Sequence, residues 1–266
     1  GTDRVRKLVR PGRARRLANP DAARPFTRAG LRIARVLERS PARLDLELLP
    51  GRSLHDLGDA GLPAWERFAQ LWPGAVQPQP LPAHTGADEA AVLDGWFHRA
   101  DGVGGLDLLG APRRHLEAAV NRVCALLQEE GEPLAACHRD LHDGQLLWDG
   151  RTLSLLDLDT AAAAEPALDL GNLAAHVDLM RVQGQLGGPA YTRIGRLLDD
   201  VAARVSTEPR LAVYYLASRL RLGFVHAFRP GASAWLPAWT DGSLRLAASP
   251  AAWAARGAAA RQAPGV

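Results

Sequence analysis

One stretch limits the folds open to this chain more than any other: Cys137-His138-Arg139-Asp140-Leu141-His142-Asp143-Gly144-Gln145-Leu146-Leu147. It places two histidines and two aspartates within six residues and closes on an apolar pair. A second apolar run, Leu153-Ser154-Leu155-Leu156, then delivers Asp157 and Asp159. The pattern predicts a loop carrying carboxylates, a strand, a turn, and a second strand ending in a carboxylate. Strand ends can hold two carboxylates close together with little freedom. Phosphoryl transfer uses such a frame: one group orients or deprotonates the nucleophile, and another holds Mg²⁺ against the phosphates. His-x-Asp-x-His alone also permits a metal-dependent hydrolase built on His138, Asp140, His142, Asp157 and Asp159.

A chain of 266 residues has room for one large domain or two lobes. Its two cysteines, Cys124 and Cys137, are too few for a disulfide framework and point to a reducing cytoplasm. No apolar run approaches the ~20 residues of a membrane span, and the basic residues 1–16 are not followed by a signal-peptide core. Residues 1–60 carry 14 Lys+Arg against 7 Asp+Glu, whereas the remainder carries 18 against 22. This basic segment lacks interleaved aromatic residues and a groove-reading motif, so nucleic acid is not the expected partner. A nucleotide on the basic side fits better, and the acidic remainder slightly favours a cationic acceptor.

Lysine usage sharpens this. The chain has 31 arginines and one lysine, Lys7, inside the strand-like run Val5-Arg6-Lys7-Leu8-Val9. A slim ammonium reaches a phosphate where a forked guanidinium does not fit.

Residues 4–9 read as a strand ended by Pro11-Gly12. A short helix is expected from Arg13 to Arg16, interrupted by Asn19-Pro20. Residues 28–39 suggest a helical turn feeding a strand, and Leu44–Leu49 alternates as a strand. Ser53 is placed as an N-cap with Asp56 at the third helical position. Helices follow over 63–72, 87–99 and 113–130, with Pro73–His84 as an exposed connection. After the strands around the central motif the spacing predicts helices near 169–186, 190–205 and 209–227. Ala161–Ala164 reads as a low-complexity block. The tail carries Trp235, Trp239 and Trp253 amid small residues, expected to pack as core or lid. Asp178, Asp199, Asp200 and Glu208 read as solvated helix faces, with an acidic substrate wall as the alternative.

Taken together, these motifs resemble the aminoglycoside phosphotransferase and choline kinase family, which shares the protein-kinase fold. The family's His-x-Asp-x-x-x-x-Asn loop is matched by His138, Asp140 and Gln145. Its strand ending in Asp is matched by Leu156-Asp157-Leu158-Asp159, and its Asp-Pro-Ala-x-Asp-Leu by Glu165-Pro166-Ala167-Leu168-Asp169-Leu170. Its hinge is matched by Glu47-Leu48-Leu49-Pro50-Gly51-Arg52-Ser53-Leu54. The resemblance implies an α+β, protein-kinase-like two-lobed fold. An abbreviated or incomplete N-terminal β-lobe and hinge would span 1–52. A large, mostly helical C-terminal lobe would span 53–266, with the catalytic loop at 137–147 and the metal-binding strand at 153–159.

The resemblance also implies roles. Asp140 accepts or orients the substrate hydroxyl's proton. Asp157 and Gln145 hold Mg²⁺, and Lys7 contacts the phosphates of ATP. The backbone of Glu47, Leu48 and Leu49 reads the adenine edge, while His138 and Asp169 support the loop. The implied partners are a nucleoside triphosphate and a small hydroxylated substrate, aminoglycoside-like or other. The chain departs from the family in three ways: no glycine-rich hairpin precedes residue 4, no helix Glu accompanies Lys7, and Gln145 stands where Asn is usual. These departures keep a second reading open, a non-catalytic kinase-like scaffold that binds nucleotide.

Overall fold

The structure is a computed structural model that describes residues 3–10, 17 and 19–249. The turn expected at Pro11-Gly12, the helical start at Arg13–Arg16 and the tail residue Trp253 lie outside the described residues.

The N-terminal part runs β1 (Arg4–Leu8), α1 (Pro20–Arg28), β2 (Arg32–Ile33), β3 (Val36–Ser40) and β4 (Arg43–Glu47). β1, β4 and β3 form an antiparallel sheet in that order. Arg6 lies directly across from Asp45 and grips it through Nε and a terminal nitrogen at 2.8 and 2.9 Å. Side chains alternate across a strand, so Lys7 faces the other way, toward the rest of the molecule. Asn19-Pro20 starts a helix instead of interrupting one. The Asn19 Oδ1 accepts the Asp21 N–H at 3.0 Å, and Pro20 occupies a first-turn position where no N–H is needed. Phe26 of α1 is fully buried, its ring 5.5 Å from that of Trp72.

After β4 come β5 (Arg52–Ser53), α2 (Leu54–Leu57), α3 (Leu62–Ala75), α4 (Gly86–Asp101) and α5 (Arg113–Leu127). Ser53 caps α2, accepting the Asp56 N–H at 3.0 Å, as its spacing predicts. Pro73 does not end α3; the burial of Trp72 and Ala75 outweighs the lost backbone bond. Four short strands follow, β6 (Ala135–Cys137), β7 (Leu146–Trp148), β8 (Leu153–Leu155) and β9 (Ala162–Ala164). They are followed by α6 (Pro166–Val182), α7 (Gly188–Val205), α8 (Glu208–His226) and α9 (Leu236–Ala248).

β2, β8, β7 and β5 form one sheet in that order, and β6 pairs with β9. The Ala161–Ala164 block is therefore a strand for most of its length, and the tail around Trp239 is a helix. Helix α6 is buried on nearly every side, sits between α7 and α8, and carries the loops of the site on one face. It crosses α8 so closely that a Cβ on Gly171 would lie 2.6 Å from the Tyr215 nitrogen. Gly51 is the other constrained glycine: its φ is +111°, and a Cβ there would meet the Trp148 carbonyl at 2.6 Å, which holds the hinge turn against β7. No helix among the described residues is long and apolar enough to cross a membrane.

Candidate active site

β6 runs into the central loop, and β7 and β8 close behind it. His138 is fully buried and joins the two halves. Its Nδ1 accepts the Asp140 N–H at 3.2 Å, and its Nε2 lies 2.6 Å from the carbonyl oxygen of Leu156, the residue before Asp157. Asp169, in the first turn of α6, accepts the N–H groups of His138 and Arg139, each at 2.7 Å. Burial pushes the Asp169 carboxyl up and the Asp140 charge adds to it; the His138 ring and the two N–H groups work the other way.

Both turns of the site use left-handed backbone at non-glycine residues: Arg139 has φ 69° and Asp157 φ 54°. This costs on the order of 1 kcal/mol each. It explains why glycine suits the position of Arg139, which holds on through a 3.2 Å bond to the Thr160 carbonyl. Asp157 projects toward the N-terminal sheet. There the Lys7 Nζ lies 2.7 Å from Asp157 Oδ1 and 2.8 Å from Asp159 Oδ2. Burial works against the charges of Lys7 and Asp157, yet the ion pairs prevail: Lys7 is held above its ordinary value and Asp157 below. The sole lysine thus takes two aspartates in place of a helix Glu; Asp21, the acid of α1, pairs with Arg24.

At the hinge, the Leu48 N–H is taken by the Asp3 carbonyl at 3.0 Å. The N–H of buried Leu49 donates to no group among the described residues. The Glu47 side chain is held by Arg32 and Arg35 at 2.8 and 3.1 Å. Neither the Gln145 amide nor the Asp140 carboxylate has a side-chain partner among the described residues.

Asp140 opens onto a cleft of about 520 Å³. His142 and Asp143 help wall it. The His142 Nδ1 caps the turn by accepting the Gly144 N–H at 3.0 Å. Asp143 is 2% exposed and is gripped by His55 at 2.6 Å and approached by His176 at 3.4 Å. Sequence reasoning missed His55, His176, Arg221, His226 and Arg229 of this cleft. For His176 a signal existed. Asp169, Asn172 and His176 recur at helical spacing and all face the loop, with Asn172 Nδ2 donating to the Leu141 carbonyl at 2.9 Å. Asp178 is neither the solvated helix-face residue expected nor part of an acidic wall: it is buried, accepting bonds from Tyr191 and Arg219 at 2.9 and 2.8 Å and from Tyr215.

The sequence family described as "phosphotransferase enzyme family" matches residues 10–194. The chain belongs to the phosphotransferase enzyme family. No curated protein matches it significantly in sequence. Among solved structures, a thermostable mutant of aminoglycoside phosphotransferase APH(4)-Ia, in complex with AMP-PNP and hygromycin B, is 18% identical with a TM-score of 0.62; 92% of this phosphotransferase and 86% of that chain are covered. A choline/ethanolamine kinase family protein from Mesorhizobium loti is also 18% identical, with a TM-score of 0.57 over 98% and 87% of the two chains. A glucosamine kinase gives 18% and 0.57 over 91% and 71%. The fold of this phosphotransferase is therefore the protein-kinase-like α+β fold that its motifs resemble.

Proposed function

We propose that this family member is a small-molecule kinase that moves the γ-phosphoryl group of Mg²⁺-bound ATP to a hydroxyl of a small acceptor. The observation that carries the reading is the Asp140 carboxylate, unpartnered among the described residues, at the wall of a cleft of about 520 Å³. Behind it, His138 and Asp169 fix the loop backbone. Asp140 takes the proton as the acceptor oxygen bonds to the γ-phosphorus and the bond from that phosphorus to the β–γ bridging oxygen breaks.

The donor set fits a divalent cation. The Lys7 ammonium already lies against Asp157 and Asp159 at 2.7 and 2.8 Å, so two carboxylate oxygens converge on one cation position. Asp157 would hold Mg²⁺ with the Gln145 oxygen, which reaches one methylene farther than Asn. Mg²⁺ supplies charge neutralisation on the phosphates when bound. Lys7 would contact the phosphates, and the Leu49 N–H with the backbone of Glu47 and Leu48 would read the adenine edge. In this reading residues 1–52 form the nucleotide-clamping lobe and 53–266 the acceptor lobe.

The test is Asp140→Asn. Turnover should fall by roughly 10²–10⁴-fold, while the thermal shift produced by Mg·AMP-PNP stays near wild type. A variant that turns over like wild type removes Asp140 from the chemistry. A wild-type chain that no nucleotide stabilises favours the scaffold reading instead.

A further inference from the structure

The cleft beside Asp140 is walled by cations and imidazoles more than by acids. Its carboxylates are Asp140 and Asp143. Asp143 is already engaged by His55 and His176. A polycationic acceptor would find only the carboxylate that the reaction itself uses.

Arg221 and Arg229 line the same cleft, and neither forms an ion pair among the described residues. Arg221 is half-buried and donates to the neutral Asn172 Oδ1 at 2.7 Å. Its Nε is shielded from water with no partner among the described residues. Buried Glu89 attracts this guanidinium through space but is itself bonded to His84 at 2.9 Å, so the direct partner of Arg221 is a neutral amide and an incoming oxyanion can still pair with it. His142 and His226 are each pushed down to about 4, first by burial; the neighbouring His176 adds to this for both, and Arg229 for His226. Both rings are thus neutral near pH 7; the His142 Nδ1 is taken by the Gly144 N–H, which leaves its Nε2, together with the His226 ring, to meet hydroxyls.

Resting on the kinase reading, we propose that the acceptor is an anionic hydroxylated small molecule, whose carboxylate or phosphate pairs with Arg221 and Arg229 while a hydroxyl lies at Asp140. A polyamine sugar does not suit this lining.

The experiment compares four acceptors on one skeleton with the full chain and Mg·ATP: glucose, glucosamine, glucuronate and glucose 6-phosphate, reading ADP release. One anionic member should exceed both glucose and glucosamine in kcat/KM by about tenfold or more, the scale of one charge-assisted hydrogen bond. Which of the two does so tells carboxylate from phosphate. Arg221→Gln should raise KM for that acceptor more than for glucose. Arg229→Gln, at an exposed position away from the Asn172 brace, should do the same without disturbing the loop. Glucosamine matching or exceeding both anions, or variants that lower all four acceptors equally, overturns the inference. No turnover of any acceptor, with Mg·AMP-PNP still raising Tm, overturns the acceptor inference and leaves the kinase reading standing. No nucleotide-induced shift overturns the kinase reading itself.

Discussion

Lys7 and Asp157 stand 150 positions apart in the chain and meet at 2.7 Å. The same ammonium reaches Asp159 at 2.8 Å, so one cation screens two neighbouring carboxylates. Lys7→Met removes that screen. Free Mn²⁺, measured without nucleotide, should then bind severalfold more tightly, because the competing ammonium is gone. Turnover with Mg·ATP should fall in the same variant. Weaker Mn²⁺ binding would show that Asp157 and Asp159 are not a metal position.

Gly171→Ala sets two effects against each other. Alanine gains about 1 kcal/mol over glycine inside a helix. Its Cβ, however, would sit 2.6 Å from the Tyr215 nitrogen and 2.8 Å from the Tyr214 carbonyl carbon, both backbone atoms of α8. Forcing two packed helices apart costs about 1–3 kcal/mol. The net change should be destabilising, seen as a lower Tm; a raised Tm would mean that α6 and α8 separate freely.

Glu165 is 2% exposed and is clamped by Arg210 through two 2.7 Å bonds, with the Tyr214 hydroxyl donating at 2.8 Å. Burial works against its charge, but Arg210, the Glu132 N–H and the Tyr214 hydroxyl together hold the carboxyl below its ordinary value. Arg210 also satisfies the last carbonyls of α5 at Leu126 and Leu127. Arg210→Met should cost about 3–5 kcal/mol in denaturant unfolding. Adding Glu165→Gln should restore part of it, since the stranded charge is then gone. A loss below about 1 kcal/mol would place the pair among weak surface bridges.

The acid side of the stability profile should be set first by histidines. His142 and His226 lie near 4 in the folded chain against 6.5 in the unfolded one. Between those values the unfolded chain binds protons that the folded chain does not, so stability falls as pH drops from 6.5 toward about 4. The salt-bridged carboxylates add their loss only at lower pH. His226→Gln should flatten the decline in Tm across that window. An unchanged decline in the variant would assign it to other groups.

The central loop was legible because its functional groups are consecutive in sequence, and the strands that aim them are short apolar runs beside it. The cleft's far wall was not. Arg221 and His226 belong to α8, a helix buried on most sides, so no amphipathic stripe separates a site-facing position from a core-facing one. β9 escaped for a different reason. Alanine is a poor strand former, and Ala162–Ala164 extends because Ala135–Cys137 pairs with it in a buried layer. Pro73 misled because its removal of one backbone bond is outweighed by the aromatic packing of Trp72 on Phe68, with ring centroids 4.9 Å apart.

Helix α6 acts as a ruler. Asp169, Asn172 and His176 fix three successive points of the neighbouring loop along roughly 10 Å of helix axis. Each point depends on angular phase as much as on residue type. A single-residue insertion between Asp169 and His176 would rotate everything beyond it by about 100° and swing the last contact out of reach. The residues between these three can therefore vary in composition but the stretch cannot vary in length, which ties any change in the cleft to its other walls, at His55 of α2 and Arg221 and His226 of α8.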